Sequence, residues 1–128
     1  MSAMSNYLET AFLDHFLGRA ATSAPSNVYV SLWTSDPTDA GSGTEVSASG
    51  YARQAITWNA ASSGAITNAA VVDFPAAGAS WSTLTHFGIH TASTSGQLLF
   101  HGALSSSQAI ATNDIFRIAA GGITITAA

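Results

Sequence analysis

One stretch limits the possible folds more than any other: residues 81–104, WSTLTHFGIHTASTSGQLLFHGAL. Thr85, Phe87, Ile89 and Thr91 alternate with Leu84, His86, Gly88 and His90. A side-chain period of two puts Phe87 and Ile89 on one strand face and both histidines on the other. The TASTSG that follows is small, polar and ends in glycine, which suits a longer hairpin loop. On the return, Leu98, Phe100, Gly102 and Leu104 share a face, and Leu99, His101 and Ala103 share the opposite one. Antiparallel pairing then predicts a core wall of Phe87, Ile89, Leu98 and Phe100, with His86, His90 and His101 gathered behind it. This hairpin is expected to be the middle of the fold.

The other segments read as short strands around it. Val28, Val30 and Leu32 alternate with Tyr29, Ser31 and Trp33, so this strand carries bulk on both faces and needs cover on both. YARQAITW, the Val71, Val72 and Phe74 cluster stopped by Pro75, and IFRI and ITIT near the end supply further strands. SDPTDAGSGTEVSASG and SSSQAIATND read as polar loops, the first long for a compact domain. About seven short strands at regular spacing predict a mainly β protein, an antiparallel β-sandwich formed as a single domain over residues 1–128.

One helix is expected before the strands, over about residues 5–18, SNYLETAFLDHFLG. Asn6 can cap it, with Glu9 three residues on. Leu8, Phe12 and Phe16, with Leu13 and Leu17 beside them, make a broad apolar stripe. Gly18 suits a left-handed C-terminal cap, and Arg19 suits the negative end of the dipole. So much apolar surface must dock. The expected seat is the chain's own sheet, on the Tyr29 and Trp33 side, with a partner as the alternative.

Composition excludes several function classes. Only 8% of the 128 residues are charged, the three basic ones are Arg19, Arg53 and Arg117, and the net charge is −4. A nucleic-acid binder needs a basic stripe, and there is none. No cysteine is present, which removes disulfides, thiolates and zinc–sulfur sites. No apolar run is long enough to span a membrane, and the N-terminus lacks a secretory pattern, so synthesis in the cytoplasm is expected. A surface of Ser, Thr, Ala, Gly and Asn packs readily against neighbours, as a subunit of a large assembly does.

The candidate chemistry is thin. His86, His90 and His101 on one sheet face could suggest zinc, but positions i and i+4 of a strand lie roughly 13 Å apart along it. Asp36, Asp39 and Glu45 could offer calcium oxygens, but their spacing fits no calcium loop. No G-x-S-x-G elbow, singled-out carboxylate pair or phosphate loop appears. The expectation is no catalytic residue, no metal and no cofactor. Tyr29, Trp33, His86, His90 and His101 are instead candidates for a subunit interface.

The segments SNYLETAFLDHFLG, VYVSLWTSDPTDAGSGTEVSASGYARQAITW, VVDFPAA, WSTLTHFGIH and LLFHGAL, in this order, resemble a family of small tailed-bacteriophage virion proteins. The TDAGSGTEV…GYARQ block is the most specific part of that resemblance. Members are labelled tail-fibre-like, and similar small proteins decorate heads as cement. The resemblance implies a non-enzymatic virion protein, homotrimeric, whose partners are itself and the major capsid protein or other virion proteins. Loops poor in aromatics and the lack of a long or repetitive shaft lean toward a capsid decoration protein on the head. A tail or tail-fibre role is the alternative.

Overall fold

The computed structural model describes residues 2–127. Among them it is mainly β, with a single short helix near the N-terminus. The elements are β1 (Ser2–Met4), α1 (Asn6–Phe16), β2 (Val28–Trp33), β3 (Gln54–Ile56) and β4 (Ala65–Thr67). They continue with β5 (Val72–Asp73), β6 (Ser82–His90), β7 (Leu98–Ile110), β8 (Arg117–Ile118) and β9 (Thr124–Thr126). Five strands form one antiparallel sheet in the order β1-β7-β6-β2-β3. Two small antiparallel ribbons, β4-β9 and β5-β8, supply the opposing layer.

The central hairpin sits where the alternation requires. Phe87 lies opposite Gly102 and Leu32, and Ile89 opposite Phe100 and Val30. These side chains share the inner face and meet Phe74, Phe116, Ile118, Ile123 and Ile125 from the second layer. Trp81, Phe74, Leu32 and Leu84 are among the largest fully buried side chains. Tyr51 meets Trp81 edge-on at 5.6 Å and lies parallel to Phe74 at 6.2 Å, so aromatic pairs seal one end of the core.

Four expectations change. Leu98 leaves the predicted core wall, because the register slips between Ile89 and His90 and pairs His90 with Leu98. Leu99 is thus the extra residue, and Leu98 swings to the histidine face beside Gly88. A Cβ on Gly88 would lie 2.7 Å from Ser31 Oγ and 3.0 Å from Leu98 Cδ1, so any larger residue there would have to push these side chains aside. The serine run 105–107 is not a loop. It continues β7 to Ile110, because Gln108, Ala109 and Ile110 pair with Leu84, Thr83 and Ser82. Backbone pairing tolerates polar side chains on both faces, which apolar periodicity alone misses. β1 and β4 were also not foreseen as separate strands, each being three residues long.

The fourth change concerns α1. Ser5, not Asn6, caps it: the hydroxyl accepts from Leu8 N–H at 3.2 Å and donates to the Leu98 carbonyl. Gly18 at φ 78° ends it as expected, with Gly18 N–H reaching His15 O and Arg19 N–H reaching Asp14 O. The helix does not cover the Tyr29 and Trp33 side, and it buries none of its residues. That side is covered by the 35–45 loop, which Thr34 N–H ties to Thr44 O and Val46 N–H ties to Leu32 O.

Candidate functional site

Polar groups sit beneath that loop because the sheet's second face has no apolar wall. Ser31 is their hub. Its Oγ accepts from Trp33 Nε1 at 2.7 Å and lies 3.1 Å from His90 Nδ1 and 3.3 Å from the Gly88 carbonyl. The His90 ring stacks on Trp33, with planes 4° apart and centroids 6.2 Å apart. Burial first, and then the positive charge of Arg53, push His90 down to about 4, so the ring is neutral at physiological pH.

A second cluster lies next to it. Arg53 donates Nε to Glu45 Oε2 at 2.9 Å and Nη2 to Glu45 Oε1 at 2.8 Å, a bidentate pair. Its Nη1 reaches the carbonyls of Ala92 and Ser95, anchoring the hairpin turn. Tyr51 donates to Glu45 Oε2 and accepts from Leu32 N–H. Burial alone would raise the Glu45 carboxyl, but its bonds to Arg53 and Tyr51 outweigh that and hold it below the usual range. Burial and the neighbouring Glu45 carboxylate push the Tyr51 phenol above its ordinary range.

Ser31 and His90 look like a nucleophile and its base, but Ser31 is wholly buried and its oxygen already accepts from Trp33. No substrate reaches it in this geometry. The three histidines share a face as the alternation predicts, yet each has a different partner. His86 meets Thr85 Oγ1 at 2.8 Å, His90 meets Ser31, and His101 Nε2 meets Asp39 Oδ1 at 2.8 Å. The loop acids split two ways: Asp36 caps Thr38 N–H and lies 3.7 Å from His101 Nδ1, Asp39 holds the other nitrogen of the same ring, and Glu45 holds Arg53 instead. No cluster of three metal-ligating side chains occurs among the described residues. Every buried side-chain nitrogen and oxygen described has a partner. This face works as a clamp that fixes the 35–45 loop and the hairpin turn to the sheet.

Of the five candidate interface residues, Trp33, His90 and His101 are buried under the chain's own loop, whereas Tyr29 and His86 are half-exposed. The apolar surface left to solvent is elsewhere. On α1, Phe12, Leu13, Phe16 and Leu17 are exposed, the last two at 70% and 79%. The helix turns Leu8 and Ala11 partly inward and leaves its largest side chains outward. The sequence stripe had marked these residues, but periodicity does not say which body covers them. The second surface is a groove of about 350 Å³ between the large sheet and the β4-β9 ribbon, walled by Val28, Trp58, Ile66, Leu99, Phe100 and Ile125. Sequence reasoning missed it, because it forms only when strands distant in the chain fail to close over one another.

No helix among the described residues is long and apolar enough to cross a membrane. Among curated proteins, none matches the chain. The family model described as podophage GP4 fiber I protein gp80 matches residues 3–126. That is nearly the whole chain, which therefore belongs to this family of phage virion structural proteins.

Proposed function

We propose that this member of the fiber family is a non-enzymatic structural subunit, built into a fiber at the virion surface and assembled there with copies of itself and neighbouring virion proteins. The observation that carries the reading is the extent of the family match: residues 3–126 take in the helix and all the described strands but for Ser2 of β1, which supports reading the fold as the fiber-family unit. The geometry agrees with a scaffold role. The buried polar side chains described all have hydrogen-bond partners, and Ser31 and His90 are both buried. A homotrimer is the assembly we favour, since closed symmetry suits a repeated surface appendage.

A second reading, decoration of the head shell, draws on composition. With 8% charged residues and no lysine in the chain, attachment through apolar and hydrogen-bonded contact would suit a cement subunit on the major capsid protein. Copy number separates the two. Quantified against the major capsid protein in purified virions, a fiber subunit is expected in dozens of copies at most. Hundreds of copies would overturn the fiber reading in favour of the shell. Labelling intact particles with an antibody to this chain checks the same point by position.

A further inference from the structure

The loop over the histidine face does not fill all the space beside it. A cavity of about 530 Å³ is left where the 35–45 loop, the 91–97 turn and the first turn of α1 meet next to His90. Its borders are tied down. Asn6 N–H donates to the Asp39 carbonyl at 3.0 Å, Ser5 Oγ donates to the Leu98 carbonyl, and Arg53 Nη1 donates to the Ser95 carbonyl at 2.8 Å. These bonds hold the bordering segments to one another and to the sheet, so the space is a fixed feature of the fold. Its size falls within the roughly 300–1,000 Å³ of small-molecule sites.

His90 gives the cavity a polar floor. The residue is 5% exposed, and its Nδ1 lies 3.1 Å from Ser31 Oγ. Its Nε2 has no hydrogen-bond partner among the described residues, yet no fully buried side-chain nitrogen among them lacks one. Nε2 is therefore the atom by which an otherwise enclosed ring reaches the cavity. The ring is neutral at physiological pH, so Nε2 donates or accepts according to the tautomer. At the rim, the Asn6 and Gln97 amides and the Tyr7 hydroxyl also have no partner among the described residues. Asp39 spends Oδ1 on His101 and keeps Oδ2 for the rim.

These groups select against a charged ligand. Asp39 is the one carboxylate of the lining, and the one cation, Arg53, is already engaged by both oxygens of Glu45. An anion would meet Asp39, and a cation would lie near Arg53. An apolar ligand would leave Nε2 and the rim amides without the hydrogen bonds that water gives them. A hydroxyl both donates and accepts. It can replace water on either tautomer of His90, on both halves of an amide and on the Asp39 carboxylate. We propose that this cavity binds a neutral, hydroxyl-rich ligand, one or two units of an uncharged sugar. The proposal concerns a site and not a place in the particle, so the structural-subunit reading does not depend on it.

Titration of the full chain, isotope-labelled at nitrogen and followed by NMR at neutral pH, tests it. The probes are glucose, galactose, mannose, rhamnose and N-acetylglucosamine, taken to tens of millimolar. At least one is expected to shift the His90 Nε2 resonance saturably, while His15, at the far end of α1, stays still. Gln97→Ala, at an exposed rim position, should weaken binding roughly 2–10-fold, as the loss of one hydrogen bond does. Ala40→Trp, also exposed and lining the cavity, fills the space and should abolish binding. The uronic acid of the best sugar, which differs from it by a carboxylate, should bind more weakly. No shift of His90 with any of these sugars overturns the proposal. So does a saturable shift that persists unchanged in both variants, since the sugar would then sit elsewhere. A uronic acid that binds as tightly as its neutral parent overturns it as well.

Discussion

Phe74 and Phe16 are the same side chain in two different situations. Phe74 is 2% exposed between the two layers, touching Tyr51, Trp81 and Phe116, whereas Phe16 is 70% exposed at the end of α1. Both lie in segments whose apolar pattern demands burial, and only one finds it within the chain. The difference teaches that amphipathic periodicity measures a need for cover and not its source. The sandwich meets that need with strands from across the sequence. The helix carries the need outward, as a subunit made for assembly does.

The polar clamp between Ser31 and Arg53 is an intermediate case, as deeply set as parts of the core but held by hydrogen bonds. Three regions should therefore respond differently to substitution. The largest effect belongs to the core. Phe74→Ala removes an aromatic ring from a closed aromatic cluster and should cost about 3–5 kcal/mol in chemical denaturation. A loss below about 1 kcal/mol would mean that the two layers do not close on each other as described.

Next in size is the pH response of His90. Its folded value of about 4 lies below the unfolded value near 6.5, so the unfolded chain binds the proton more readily. Its contribution to stability is intact above pH 6.5 and is lost as pH falls from there toward 4, by up to about 3 kcal/mol. Glu45, held low by Arg53 and Tyr51, adds to the loss only below its unfolded value of about 4.5. Denaturation measured at steps from pH 7 to pH 4.5 should show a decline that His90→Asn flattens. An equal slope in the variant would mean that the ring is not held neutral under the loop.

How much of this was legible follows from where each signal lives. The hairpin of β6 and β7 was readable because Phe87, Ile89 and Phe100 alternate without interruption. The exit of Leu98 was not, since a one-residue register slip has no signature in composition. The histidine face was readable as a face, but not its cover: that comes from the 35–45 loop, with Glu45 held by Arg53 from just before β3. The extension of β7 through Ser105 to Gln108 was hidden by polar side chains, although beyond an irregularity in register Gln108, Ala109 and Ile110 pair with Leu84, Thr83 and Ser82. The groove depends on what is missing above Trp58 and Ile66, and sequence carries no record of an absence.

The clamp gives the third comparison. Arg53→Ala leaves Glu45 without its bidentate partner and frees the carbonyls of Ala92 and Ser95. The pair is largely but not wholly shielded, with side chains 11% and 22% exposed, so water recovers part of the loss. A cost of about 2 kcal/mol is expected, with faster hydrogen exchange in the 91–97 turn. A turn exchanging at the wild-type rate would mean that Arg53 does not anchor it.

The smallest effect should come from the helix, and it is the most informative. Phe16 touches little of its own chain beyond Phe12 and His15, so Phe16→Ser should change the stability of a dilute monomer by no more than about 0.5 kcal/mol. Concentration then becomes the variable. If the outer face of α1 is covered by another copy, association stabilises the folded wild type by mass action, and its melting temperature rises with protein concentration. Phe16→Ser should abolish that rise while matching the wild type at the dilute end. Two curves that are separated at every concentration would show that Phe16 belongs to the fold, and the contrast with Phe74 would fail. Curves that are parallel and flat would leave α1 without a copy to cover it.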